Sequence, residues 1–359
     1  MKKKSLLYVF NVLFIALIGV LTFNLLFKDQ ELGQILDDLD KANKLWLLGG
    51  AALAILFVAG ESVIIRYMLG LFRDKVPLRR CLKYSFVGFF YSYITPSSSG
   101  GQPAQMYYMK KDGIKLGHSS LIMLVITLTF KAVLIVFGAV FLLIERDFVL
   151  ECTGDYFWLV MLGFGLNSAY VAGLLFLLVR PKAAARLING CVRLLCRLKI
   201  LKGSKRQKYY AKVLRLEKTY AEGAGYIKTH CGTVVKIFLM TCAQRLCFFA
   251  VTWVVYRSYG LSGTSFLGII TIQTMIAISV EMLPLPGAAG ITEACFMVMF
   301  GGVFGEELVR SGMLLSRGLT FYVILLIGAA VTLGAQMRVV KRRRAAEEKQ
   351  KHIAREMAA

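Results

Sequence analysis

The sequence predicts an all-α polytopic membrane protein: about six full spans and two re-entrant hairpins, eight or so apolar segments in all, forming an inverted repeat. Composition gives the class, since 57% of the 359 residues are hydrophobic and only 18% are charged. Runs of about 20 apolar residues match a hydrocarbon layer roughly 30 Å thick. The placement of charge gives the topology. The Lys and Arg residues behind the net charge of +23 fall between those runs and at the chain ends, so orientation in the membrane accounts for them and no nucleic-acid partner is called for. The third observation is a pair of apolar segments broken by proline and glycine, around "TPSSSGGQPAQ" and "EMLPLPGAAGITEA".

The first apolar segment, near residues 5–27, follows Lys2, Lys3 and Lys4 and reads as a retained span that starts inside. A cleaved signal peptide is the alternative, but no small-residue cleavage site follows the apolar run. The next loop carries Asp29, Glu31, Asp37, Asp38 and Asp40 and suits the outside. A second span near 45–71 leads to "RDKVPLRRCLK", which suits the inside. Residues 84–95 then form an apolar run of about 18 Å as helix, too short to cross. Because "KKDGIK" at 110–115 is basic as well, residues 84–109 are expected to enter and return on the cytoplasmic side, with "TPSSSGGQP" at the tip.

Spans near 117–144 and 156–179 follow, joined by an acidic outer loop over 145–155. The 180–232 insertion holds fourteen Lys/Arg against two Glu and belongs inside. Its Leu187, Leu194, Leu195, Leu198 and Leu201 among basic residues suit either an amphipathic helix on the inner leaflet or a solvated linker. A span near 233–256 leads out, residues 264–304 form a second hairpin from the opposite face, and a span near 311–336 delivers "KRRR" at 341–344 to the cytoplasm. The domains expected are therefore two membrane halves, 1–146 and 156–340, with the 180–232 insertion and a basic tail at 341–359, both termini being cytoplasmic. Three crossings per half make the second half inverted relative to the first. The tips repeat residues too: Pro96, Gly100, Ala104 and Met109 correspond to Pro286, Gly290, Ala294 and Met299.

Broken backbone at membrane depth leaves N–H and C=O groups that protein or a water-filled cavity must satisfy. The expected lipid-headgroup cavity is therefore lined by Ser97, Ser98, Ser99, Gly100, Gly101 and Gln102 of the first tip and Pro286, Gly287, Gly290 and Glu293 of the second. Helix N-termini after Pro103 and near Ile291 add partial positive charge suited to a phosphate. The alternative is a loop that bonds only to itself. Charges inside spans are costly and must be paired or functional. Lys131, Glu281, Glu293 and Arg317 are assigned to the cavity, whereas Glu61, Arg66 and Arg245 are assigned to pairing or snorkelling; Gln273 fits either group. Eight cysteines without a CxxC pair and only three histidines give no metal site, and no cofactor is expected. No P-loop or Ser-His-Asp order is present, so neither ATP hydrolysis nor soluble-type hydrolysis has residues to carry it.

At its two tips the sequence resembles the membrane region of lysylphosphatidylglycerol synthases, also known as flippase-like or multiple-peptide-resistance-factor proteins. "TPSSSGGQPAQ" is similar to that family's proline followed by Gly-Gly-Glu-Pro, "PLPGAAGITEA" to its Pro-Gly-Gly-x-Gly-x-x-Glu-Ala run, and "LSRGLTFY" to its last-span arginine. Gln102 and Gln105 replace residues that are acidic and basic in the family pattern, while Glu293 and Arg317 are retained. The resemblance implies a bacterial plasma-membrane protein that moves an anionic or aminoacylated phospholipid, such as lysylphosphatidylglycerol, between leaflets. Full-length relatives add a soluble domain that transfers an aminoacyl group from tRNA to phosphatidylglycerol and are linked to cationic-peptide resistance. Here the chain runs only about twenty residues past "KRRR", so no such domain is expected in it. The competing readings are the membrane component of a phosphatidylglycerol lysyltransferase working with a separate aminoacyltransferase protein, and a membrane scaffold.

Overall fold

A computed structural model describes the backbone of residues 40–180, 231–283 and 285–356, with a few isolated positions besides. The expected first span near 5–27 and most of the 180–232 insertion lie outside the described residues. Everything described is helical or turn, without a strand. Among these residues, five segments are long and apolar enough to cross a membrane, including one continuous stretch over Ile291–Val339. The chain is thus a polytopic all-α membrane protein.

Helix α1, Lys44–Leu71, starts where Asn43 accepts a hydrogen bond from the Leu45 N–H at 2.9 Å. It ends at Phe72, whose N–H returns to the carbonyls of Leu69 and Gly70, and at Arg73, which turns the chain with φ of 60°. Pro77 then opens α2, Leu78–Tyr93, six residues earlier than the apolar run alone indicates because basic Arg79 and Arg80 are helical too. At about 24 Å it still falls short of the hydrocarbon thickness. A 3-10 turn over Pro96–Ser98 reverses the chain into α3, Gly101–Lys111. The helix begins at Gly101, not after Pro103; Pro103 fits the first turn, where its missing N–H has no partner to lose.

Helix α4, Leu116–Ile144, is a full span. The 145–155 segment expected as a loop instead forms a short helix, α5, Arg146–Thr153, because Val149 turns its side chain into the core. Helix α6, Phe157–Val179, follows, and after the insertion comes α7, Cys231–Ser258. The second hairpin comprises α8, Phe266–Val280, a break with left-handed Gly287, Ala288 and Gly290, and the start of α9, Ile291–Arg317. Gly305, with φ of 77° and ψ of 158°, kinks α9 and so separates the returning limb from the last span. A π-helical turn at Gly318–Tyr322 leads into α10, Val323–Glu356.

Packing relates the two halves. Helices α1 and α7 hold equivalent places before their hairpins and run antiparallel. The Asn43 N–H reaches the Ser258 carbonyl at 2.8 Å at one end, and the Gln244 amide reaches the Phe57 carbonyl at 3.0 Å further along. Equivalent helices that run in opposite senses mark an inverted repeat. The last spans are exchanged: α4 packs on α8 of the other half, and α10 packs on α2. Glycines allow both approaches. A Cβ at Gly138 would lie 2.1 Å from Ile278 Cδ1, and one at Gly328 would lie 3.0 Å from the Phe86 carbonyl oxygen. Gly138 and Gly328 are 190 residues apart, the same separation as Pro96 and Pro286. The two tips pack against each other at the centre.

Candidate functional site

The first tip is built around Thr95. Its hydroxyl donates to the Tyr91 carbonyl at 2.6 Å and accepts from the Gly100 N–H at 2.8 Å, which closes the reversal. The glycines are there for closeness: a Cβ on Gly101 would lie 2.7 Å from the Gly88 carbonyl oxygen, and one on Gly100 would lie 2.6 Å from Thr95 Cγ2. Ser97 lies within the 3-10 turn, while Ser98, with φ of 53°, and Ser99 are exposed. Gln102 is exposed as well, and its amide donates to the Thr127 hydroxyl on α4. Gln105 is buried and donates to the Glu61 carboxylate on α1. Gly88 makes room for it, since a Cβ there would overlap the Gln105 amide.

The second tip closes through charge. Glu293, in the first turn of α9, accepts from the Gly290 N–H at 2.8 Å and from Arg317 Nε at 2.8 Å, and Arg317 also donates to the Gly287 carbonyl at 3.2 Å. Glu293 thus caps a helix N-terminus, where a carboxylate is favoured by the orphan amides, while pairing a buried cation. Pro286 opens the Pro286–Ala288 turn. Gly287, at φ of 58°, sits where a Cβ would be 2.3 Å from Phe321 Cε2 and 3.3 Å from the Tyr93 carbonyl oxygen. Tyr93 spans the two tips: its hydroxyl donates to the Thr320 carbonyl at 3.0 Å, and its ring stacks on Phe321 with centroids 4.7 Å apart. The π turn frees that carbonyl from regular helical pairing.

A third cluster gathers at the end of α8. Glu281 accepts from Arg245 through both oxygens, at 2.5 and 3.1 Å, and from Lys131 Nζ at 2.8 Å. Arg245 also lies over the Phe130 ring, 3.6 Å from its centroid. Lys131 donates to Asn167 Oδ1 at 3.1 Å, and the Asn167 amide is pinned to the Gly163 and Ile278 carbonyls. Four elements therefore converge on one carboxylate.

Of the charges read from the sequence as cavity residues, Lys131 and Glu281 come together, as do Glu293 and Arg317. Arg245, read as a structural ion pair, does pair, but with Glu281, so it belongs to the same cluster. Arg66 is exposed, and Gln273 faces α7 by accepting from Thr252 at 3.2 Å. Asn167 and Thr127 escaped the sequence reading because a lone amide or hydroxyl in an apolar span carries no periodic signal. Gly138 and Gly328 had one available, the shared separation of 190 residues.

What the arrangement can do is bind. It offers fixed amides, hydroxyls and cations around two meeting tips within a helical membrane protein. No curated protein matches the chain. A sequence model described as Lysylphosphatidylglycerol synthase TM region matches residues 8–328, nearly the whole length, and with its two motif-bearing tips meeting at the centre the chain belongs to that family.

Proposed function

We propose that this protein moves a phospholipid, anionic or aminoacylated, between the leaflets of a bacterial plasma membrane. The observation that carries the reading is the meeting of two polar hairpin tips beside the Lys131–Glu281–Arg245 and Glu293–Arg317 clusters. A headgroup crossing hydrocarbon needs polar contacts along its route while its acyl chains stay in lipid. Tips reached from opposite faces supply such contacts at mid-depth. The tip residues Ser97 to Gln102 and Pro286 to Glu293 line the headgroup side in this reading, with both termini cytoplasmic and the hairpins 84–109 and 264–304 re-entrant.

The family's printed description also favours a second reading, in which the chain is the membrane component of lysylphosphatidylglycerol synthesis and works with a separate aminoacyltransferase. In cells, the two share a prediction of altered susceptibility to cationic peptides. Purified protein in vesicles separates them. Accelerated equilibration of labelled lipids between leaflets is expected of a lipid mover, and vesicles no faster than protein-free controls for every headgroup would remove that function.

A further inference from the structure

The cluster at Glu281 holds two cations and one carboxylate. Arg245 is 1% exposed, binds both carboxylate oxygens and stacks on Phe130, so its charge is committed to Glu281. Lys131 meets the same carboxylate and Asn167, which uses two of the three donors of an ammonium. Its side chain keeps 13% exposure beside a Glu281 that keeps 24%. Asn167, itself fully buried and tied to two backbone carbonyls, fixes where the ammonium sits.

Neighbouring groups do not cancel the surplus. Glu293 and Arg317 balance each other, and Glu61 is bonded to the neutral amide of Gln105. The C-terminal end of α8 adds roughly half a negative charge near Glu281, less than the unit charge left over. A surplus cation inside a span is costly and marks a ligand or ion path.

We infer that Lys131 is the phosphate contact, and that the headgroup this site takes is a net-anionic phosphodiester, one lacking an added ammonium. The inference rests on the lipid-moving reading and narrows it. A phosphodiester brings one negative charge and acceptor oxygens for the remaining Lys131 donor, so the cluster becomes neutral when occupied. A lysylated headgroup brings further positive charge to a carboxylate already saturated by two cations.

The test uses the full chain in phosphatidylcholine vesicles containing a trace of tail-labelled phosphatidylglycerol, lysylphosphatidylglycerol or phosphatidylethanolamine, with leaflet exchange read by chemical reduction of the outer label. Phosphatidylglycerol is expected to move about tenfold faster than its lysylated form. Lys131→Met should lower the phosphatidylglycerol rate about tenfold and flatten the preference, whereas Lys131→Arg should keep both. Lysylphosphatidylglycerol moving as fast as phosphatidylglycerol in the wild type, or a preference unchanged in Lys131→Met, overturns this inference and leaves lipid movement standing. The wild-type ratio decides the matter even if Lys131→Met fails to fold. Movement of none of the three lipids overturns the lipid-moving reading, and the inference falls with it.

Discussion

Thr127 and Arg317 stand 190 residues apart, and each anchors a hairpin tip to the last span of its own half. Thr127 accepts from Gln102 of the first tip, and Arg317 donates to Glu293 of the second at 2.8 Å. The same place in the repeat carries a neutral hydrogen bond on one side and an ion pair on the other. The halves share their geometry and differ in the strength with which each tip is held.

That difference predicts unequal consequences of cutting the two anchors. Arg317→Ala leaves Glu293 buried with a lone charge and should cost about 3–5 kcal/mol, while Thr127→Val should cost about 1–2 kcal/mol through one unmet amide. Thermal unfolding in detergent measures both. Equal losses would mean that the second anchor is not an ion pair in the folded protein. Glu293→Gln is expected to slow lipid exchange while leaving the protein inserted in the membrane.

Helix α6 crosses α8 so closely that a Cβ on Gly163 would fall 2.3 Å from the Ile278 carbonyl oxygen. Backbone cannot yield as a side-chain end can. Gly163→Ala should therefore destabilise by about 1–3 kcal/mol, and more than Gly328→Ala, whose nearest contacts are at 3.0 Å. Midpoints of thermal unfolding for the two variants give the order, and the reverse order would refute the argument.

The contact between tips is open to chemistry. In a background without the eight cysteines, Ser98→Cys paired with Ala288→Cys should cross-link with a short bifunctional thiol reagent, and each single cysteine should react with small polar thiol reagents. Failure of the pair to cross-link under several spacer lengths would place the tips apart.

Asp112, between α3 and α4, receives hydrogen bonds from Lys83 and from the Tyr84 hydroxyl, the latter at 2.7 Å. Burial raises its pKa, but the bonds from Lys83 and Tyr84 and the charges of Lys83 and Arg80 outweigh burial and hold the carboxyl below its ordinary value of 3.8. A depressed value stabilises the fold above the ordinary one and loses that contribution as pH falls through the folded value. The stability gap between wild type and Asp112→Asn should be full at pH 7 and shrink below about pH 4. A gap independent of pH would show that the charge of Asp112 contributes nothing.

The membrane class, the broken segments and the residues at their tips were legible because hydropathy, charge placement and Pro/Gly punctuation are local signals. The partners were not. Arg245 meets Glu281 only because α7 and α8 pack together, and nothing in "CAQRLCFF" says which carboxylate it faces. The helix at Arg146–Thr153 was hidden by its acidic composition, which suits an outer loop equally well. The reading of "TPSSSGG" as ligand donors also missed its local duty, since Thr95, outside the residues singled out, does the hydrogen bonding that shapes the turn.

The exchange of last spans has a consequence in time. Helix α2 rests on α10, which leaves the ribosome roughly 230 residues later, so at about 5–20 residues per second the first hairpin waits on the order of 10–50 s for its support. Helix α8 meets α4 already in place. Two structurally equivalent hairpins are thus born under unequal conditions, and during that wait a short, polar-tipped helix pair must be sheltered by the insertion machinery or by lipid alone.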